Sequence, residues 1–467
     1  MQFNKRLPAF LLLLLAFGLF IPACRDNGGN AGVEDTSLVK YADHEVALKW
    51  TDLFLDVERY AGGYRPGGAP RVWALMAMSA YEGCITGMPE FNSLANLYAG
   101  LNIPAADQNA DYHWPTVVNA SYNYLMPKYF PTASADLKQK MTNLNSFFDG
   151  KYRSEAGTEV YDRSKAYGEA VAAAVFAWSE TEVQGGQKAN NVYQDPFANY
   201  DHAANYDGPG DWVPTYPGPG EPMYPNWGEA RTFAITNQSQ LLCKVPLPYS
   251  ENPNSKLYSQ ALEVYAQNTP TWSYDDEWVG EFWSDDLVDL TFSPGPRFLA
   301  IGNQVLNLEN SNLEIALYMH AKVGMAVSDA AVGCWYSKYF YNVERPQSYI
   351  IRLIDADWKP GLDNPLTGDD GVTPSFPAYP SGHSTMGAAG AEALGSIFGY
   401  AYGMTDNCHQ GRTEFEGDAR TFGSFFEMAQ ENAWSRVPLG VHFRMDSEEG
   451  VAFGTRIGRL VNELPWQ

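Results

Sequence analysis

Apolar residues recur at helical spacing in stretch after stretch of this chain, and that repetition limits the folds open to it. In residues 40–60 (YADHEVALKWTDLFLDVERY), Val46, Leu48, Trp50, Leu53, Phe54 and Val57 fall near one face. Asp43 is placed to cap the start and Gly62-Gly63 to stop the helix. Similar periodic stretches run at 71–85, 116–125, 133–150, 155–181, 255–266, 311–343, 383–399 and 422–434. Nowhere do apolar and polar residues alternate in sustained runs joined by hairpin turns. The expectation is a mainly α protein of packed helical bundles, with an N-terminal helical region at 39–270 and a C-terminal one at 271–467.

Two stretches break the pattern. Residues 183–231 are rich in Gly, Pro, Asn, Tyr and Trp, too aromatic for disorder and too long for a casual connection. They are expected to wrap the surface or roof a pocket. Residues 355–379 hold Asp355, Asp357, Asp363, Asp369 and Asp370, whose spacing does not fit an EF-hand loop. A solvated acidic loop is a better account of them than a calcium site.

The first residues carry an address. Lys5 and Arg6 precede an apolar run from Leu7 to Ile21, too short for a comfortable membrane span, and the run ends at Pro22-Ala23-Cys24. A cysteine after a small residue in that place resembles a bacterial lipoprotein signal, with residues 1–24 the signal, Cys24 the lipidated position and 25–38 a flexible tether. A plain secretory signal is the alternative. Either way the expectation is export, to the outer membrane, periplasm or cell surface, with membrane contact only through the anchor. Four further cysteines, Cys84, Cys243, Cys334 and Cys408, are too widely spaced for a metal motif, and Cys84 and Cys334 suit buried free thiols.

The formal charge of -24 excludes nucleic acid and anionic membrane as partners, because both need basic surface. Against that background three cation-bearing segments stand out in the C-terminal half. The first is Lys338 with Arg345-Pro346, seven residues apart and able to share one face of a helix that ends before the proline. The second is Pro380-Ser381-Gly382-His383, at the start of a small-residue helix, where free N–H groups favour an anion. Ser381 alone would be an ordinary N-cap; His383 in the first turn is a natural acid–base group. In the third, Pro438 and Gly440 let a turn bring Arg436 and His442 together, and Asp446 lies four residues beyond His442 to orient it. Each segment alone reads as solvated charge; together they are a kit for one tetrahedral oxyanion.

The order Lys-x6-Arg-Pro, Pro-Ser-Gly-His, Ser-Arg-x5-His-x3-Asp resembles the signature shared by vanadium-dependent haloperoxidases and type 2 phosphatidic acid phosphatases. The resemblance implies a helical-bundle fold in which Lys338, Arg345, Ser381, Gly382 and Arg436 contact the equatorial oxygens of vanadate. His442 would be the vanadium ligand and His383 the acid–base. Trp335 and Phe376 look like halide-pocket aromatics of the haloperoxidase branch. The stretch Phe282-Trp283-Ser284-Asp285-Asp286 followed by Pro294-Gly295-Pro296-Arg297-Phe298 resembles another haloperoxidase segment, which makes Asp286 a competitor of Asp446 for supporting His442. The activity implied is oxidation of halide by hydrogen peroxide, with Lys338 polarising the peroxide and an organic acceptor as a possible further partner. The same residues suit an exported acid phosphatase working through a phosphohistidine at His442. A glycan-binding surface lipoprotein is a more distant alternative and leaves the cationic segments without a purpose.

Overall fold

The longest helix sets the architecture. In the computed structural model α9 (Leu313–Tyr341) runs 29 residues and is buried along almost its whole length. A helix apolar on every side needs cover on every side. Cover comes from α2 (Gly68–Cys84), α11 (Gly382–Phe398) and α13 (Arg444–Asn462), all of which pack against it. The structure describes residues 37–182, 200–215, 221–268 and 273–467, and within it Ser37–Gln467 form one compact unit. The expected lipoprotein signal and tether, with Cys24, lie outside the described residues except for the tether's last two positions.

On the N-terminal side, α3 (Trp114–Tyr129) and α5 (Thr158–Glu180) pack against α2, and α1 (Glu45–Tyr60) and α4 (Ala135–Ala156) pack against α3. On the other side are α6 (Lys256–Gln267), α7 (Tyr274–Phe282), α8 (Arg297–Leu308), α10 (Pro346–Leu353) and α12 (Phe425–Ser435). One antiparallel pair, β1 (Met404–Asp406) with β2 (Arg420–Phe422), is joined in the register Met404 to Phe422. Local chemistry explains many of the boundaries: Ser134, Ser255, Ser273, Asn312, Ser381 and Ser424 each accept a first-turn N–H and start a helix. Among the described residues no helix is long and apolar enough to cross a membrane.

The contact between α11 and α13 positions two of the three cation-bearing segments. Gly450, Gly454 and Gly458 recur every four residues along one face of α13, and a Cβ at Gly458 would sit 2.9 Å from the Ala389 carbonyl oxygen of α11. At Gly454 it would collide with the Thr385 carbonyl. Only glycine lets the two backbones approach so closely. Their N-terminal ends are tied as well, the Ser381 N–H donating to the Asp446 carbonyl at 3.0 Å.

Several local expectations need correction. Lys338 and Arg345 do not share a helix. Asn342, in the left-handed region (φ 49°), ends α9 after Tyr341, and Arg345 is extended (φ -78°, ψ 153°) at the N-cap of α10 with Pro346 in its first turn. Proline does keep Arg345 out of the helical region, but a terminator three residues earlier acts first. His44, not Asp43, holds the cap position of α1, though Asp43 Oδ1 does accept the Glu45 N–H at 3.0 Å, and the helix stops at Tyr60 before reaching Gly62. Helices α7, α8, α10 and α13 lie outside the periodic stretches read from the sequence. Cys84, Cys243, Cys334 and Cys408 are free thiols, the first three of them buried.

Candidate active site

The ends of five helices meet at one point: the C-terminal turn of α9, the N-termini of α10 and α11, and the turn from α12 into α13. Between them they contribute the cationic and histidine residues that the sequence singled out. Lys338, Arg345, Ser381 and Arg436 are fully buried, and His383 and His442 nearly so. Placing this much positive charge out of water costs several kcal/mol per ion unless something compensates. Partial compensation is visible. Lys338 Nζ donates to the carbonyls of Pro377 (2.8 Å) and Ala378 (2.9 Å). Arg345 donates from Nε to Phe376 O (2.9 Å) and from Nη1 to Val441 O (2.8 Å). Arg436 Nη2 donates to Asp286 Oδ2 at 2.7 Å.

What is left over is informative. Arg345 Nη2, Arg436 Nε and Nη1, and His383 Nε2 are buried without a hydrogen-bond partner in the protein. Buried donors are almost always satisfied, so the arginine N–H groups are built to receive an acceptor from outside the chain. A tetrahedral oxyanion such as vanadate or phosphate fits these donors, because guanidinium groups offer several N–H in a fixed plane and a lysine keeps a third one in hand.

The two histidines are set differently. Arg345 Nη1 lies 3.1 Å from His442 Nε2, and an arginine N–H can only donate, so Nε2 carries a lone pair. The ring proton is therefore on Nδ1, which donates to Asp446 Oδ2 at 3.0 Å. The same carboxylate oxygen accepts the Phe443 N–H at 3.0 Å, which fixes it in place. Burial, with Arg345, Lys338 and Arg436 around it, holds His442 well below the ordinary histidine range and hence neutral. The result is an imidazole with its Nε2 lone pair aimed into the cationic cluster, the arrangement a metal ligand needs. The competition for His442 is thus decided by distance: Asp446 contacts it, while Asp286 Oδ2 instead sits 3.7 Å from His383 Nε2 and bonds Arg436.

His383 is pushed down to about 3 by burial and by Arg436 beside it, so it too is neutral. Lys338 is lowered to about 7 by burial, and Arg345 to about 9 for the same reason. An anion brought among these groups raises all of them again. Burial also raises the Asp286 carboxyl, but Arg436 and His383 outweigh it and hold that group below its ordinary range.

Ser381 does double duty as an N-cap, accepting the Ser384 N–H at 3.4 Å, so the ordinary explanation of that serine holds alongside its place in the cluster. Gly382 packs under Trp335, where a Cβ would lie 3.3 Å from the indole. Trp335 and Phe376 meet with centroids 5.0 Å apart, and Lys338 Nζ stands 4.9 Å from the Phe376 ring. Both aromatics, with Asp286, His383, Arg436 and His442, line a cavity of about 450 Å³. The aromatic-rich segment contributes to it through Met223, which also lines the cavity and whose carbonyl accepts from Trp335 Nε1 at 3.1 Å.

Sequence reasoning missed a buried network behind Asp286. Arg297 Nη2 pairs with Asp406 Oδ2 at 2.8 Å and Nη1 with Asp285 Oδ2 at 3.2 Å, while His409 Nε2 lies 2.9 Å from Asp285 Oδ1. The guanidinium stacks 4.5 Å from both Phe282 and Trp283. This network anchors the Asp285-Asp286 turn. Consecutive acids ahead of a Pro-Gly-Pro-Arg run were a usable signal; Asp406 and His409, in and after a three-residue strand, gave none. In the acidic loop, carboxylates are used locally: Asp363 Oδ1 accepts from Gly371 N (2.9 Å) and Asp355 Oδ1 from Asp357 N (3.0 Å). Among the described residues no three His, Cys, Asp or Glu side chains gather to hold a metal ion.

Fold and site define a helical-bundle protein built around a buried oxyanion cradle. Residues 318–465 match the family model described as the VCPO second helical-bundle domain. The chain is 26% identical to the vanadium chloroperoxidase of Curvularia inaequalis over 48% of its own length and 46% of that protein. It is 32% identical to the vanadium-dependent bromoperoxidase of Ascophyllum nodosum over 18% of this chain and 17% of that one. The chain thus spans less than half the length of either curated relative. Among solved structures, a bacterial vanadium-dependent iodoperoxidase superposes with a TM-score of 0.78 at 26% identity, covering 90% of this chain and 96% of that one. A bacterial vanadium-dependent chloroperoxidase superposes at 0.63 and 14% identity, covering 86% and 92%, which speaks for the fold alone. Residues 318–465 thus carry the second helical-bundle domain of that family model, on a fold similar to that of solved vanadium-dependent haloperoxidases.

Proposed function

We propose that this protein is a vanadate-dependent haloperoxidase, oxidising halide with hydrogen peroxide to a hypohalous-acid equivalent. The observation that carries the proposal is the conjunction of a lone pair at His442 Nε2 with the unpartnered N–H groups of Arg345 and Arg436 around it. His442 would hold vanadium, and Lys338, Arg345, Ser381, Gly382 and Arg436 would hold the oxygens. Bound there, vanadate supplies a Lewis acid that activates peroxide without changing oxidation state.

The chain's own residues then divide the work. Asp446 keeps His442 in the Nδ1–H tautomer. His383, neutral and with Nε2 free of protein partners, takes a proton from an incoming peroxide and returns one to the leaving oxygen. Asp286, 3.7 Å away, steadies the ring while it is protonated. Lys338, with two N–H groups on Pro377 and Ala378, has the third to polarise peroxide. Trp335 and Phe376 give halide a low-dielectric seat beside that ammonium, where the attraction is stronger than in water.

The test is direct. Vanadate-loaded protein should oxidise iodide or bromide with hydrogen peroxide, inorganic phosphate should compete with vanadate, and His442→Ala should abolish the activity. Hydrolysis of a phosphomonoester by protein that vanadate merely inhibits would establish the phosphatase instead. We also propose, from residues 1–24, that the chain is an exported bacterial lipoprotein anchored through Cys24. A Cys24→Ser variant should leave the membrane fraction; a variant that stays there rules the anchor out.

A further inference from the structure

The cavity over the site is larger than halide and peroxide need. About 450 Å³ corresponds to roughly fifteen waters at liquid density, and a tetrahedral oxyanion takes only about three of those places. It falls in the range of sites that enclose small organic molecules. Away from the oxyanion site its wall is apolar: Pro66, Leu287, Val288, Leu362 and Val372 line it. The loop whose aspartates read as solvated turns Leu362 and Val372 inward here, and Leu362 joins Leu287, Leu290, Leu439 and Val441 in a small apolar cluster of its own.

One polar group interrupts that wall. Thr373 lines the cavity, is 2% exposed, and its hydroxyl is buried without a hydrogen-bond partner in the protein. Charge at this end is unfavourable to anions. Asp289 lines it, and the one cation there beyond the site, Arg65, is spent on Glu58 (3.6 Å), Leu287 O (2.9 Å) and Thr291 O.

We propose that this outer cavity is a binding site for the organic acceptor, and that the acceptor class is a neutral, apolar phenol, its ring against the Val288–Val372 wall and its hydroxyl on Thr373. The inference rests on the haloperoxidase function proposed above. In the step, a ring carbon's π electrons form a bond to iodine of hypoiodous acid and the I–O bond breaks. The departing hydroxide takes the proton lost from that carbon, so ArH and HOI give ArI and water. A held phenol presents one face and one set of ring positions to the site, which a free oxidant in solution does not.

Thymol serves as the probe. Equilibrium dialysis against the vanadate-loaded protein should give one saturable site, weakened at least tenfold in Val288→Trp, which fills the rim at a residue 42% exposed, and about tenfold in Thr373→Val. Triiodide formation without thymol should stay within about threefold of wild type in both variants. With thymol present, the wild-type ratio of ring-iodination products should differ from that of reagent hypoiodous acid, and Val288→Trp should restore the reagent ratio. Absence of saturable binding, or affinity unchanged in both variants, overturns the subsite. If triiodide never forms, the haloperoxidase function falls instead, and the dialysis result still decides whether the subsite exists.

Discussion

Asp446→Asn separates tuning of His442, the proposed vanadium ligand, from simple packing. The native carboxylate oxygen Oδ2 takes two N–H groups, from Phe443 and from His442 Nδ1, both at 3.0 Å, while Oδ1 is buried without a partner. An asparagine with its oxygen in the Oδ2 place keeps both contacts but loses charge assistance. Hydrogen bonds to a charged group contribute about 1.5–3 kcal/mol and neutral ones about 0.5–1.5, so the His442 contact weakens by about 1–1.5 kcal/mol. The imidazole loses basicity with it, and comparable changes behind metal-ligating histidines cost about 10- to 100-fold in affinity. Folding should lose much less. Burial already pushes the Asp446 carboxyl up to about 7, so a neutral amide relieves a desolvated charge. Titration of orthovanadate into wild type and variant should show dissociation weakened by at least tenfold, with thermal midpoints within about 3 °C. A vanadate affinity within twofold of wild type would refute the argument, and so would a collapse of thermal stability that makes Asp446 merely structural.

Gly454→Ala should cost about 1–3 kcal/mol, because its Cβ meets the Thr385 carbonyl and must push α11 from α13; an unchanged urea midpoint contradicts that packing. Arg297→Met strands Asp285 and Asp406 in the interior and should cost about 3–5 kcal/mol, whereas removing the exposed Lys49–Glu45 pair by Lys49→Ala should change stability by less than about 0.5. His320, fully buried against Thr51, Asn303 and the Trp73 ring, is lowered to about 3 by burial, with a smaller effect of His44. Its folded pKa lies below its unfolded one, so its contribution is complete above about pH 6.5 and is lost as pH falls towards 3. His320→Gln should therefore flatten the acid side of a stability–pH curve measured by urea unfolding, and an identical slope would count against it. Orthovanadate at a hundredfold excess over its dissociation constant should stabilise wild type by about 2.7 kcal/mol, since only the folded chain assembles the site; no shift on melting would mean that the cradle binds no oxyanion.

The site was more legible than the fold's details, and the reason is physical. Residues that grip an oxyanion must be of particular types, and the turns between them must be short, so Ser381-Gly382-His383 and Arg436 through Asp446 announce themselves at fixed spacing. Helix ends depend on weaker forces. Asn342 ends α9 through a left-handed conformation worth a kcal/mol or so, which no periodicity reveals. Helices α7 and α10 span only nine and eight residues, and on α13 Gly450, Gly454 and Gly458 share the buried surface with Phe453, Ile457 and Val461, which thins the apolar stripe. The Arg297 network was hidden for another reason: its partners Asp285, Asp406 and His409 are spread over 124 residues, and only the fold brings them together.

The net charge of -24 and the cationic cradle act over different distances, which is why they coexist. At physiological ionic strength charges on the surface are screened beyond about 8 Å, so the acidic exterior exerts little pull or push inside the cavity. Within it, an anion about 4 Å from a buried cation gains about 4 kcal/mol at an effective dielectric constant near 20, several times the value in bulk water. Lys338, Arg345 and Arg436 therefore set the affinity for the oxyanion, and the carboxylates outside set only how often an anion arrives. The same separation favours a neutral acceptor in the outer cavity: Asp289 lines it beside the apolar wall, where a phenolate would meet like charge and an uncharged ring meets apolar side chains and Thr373.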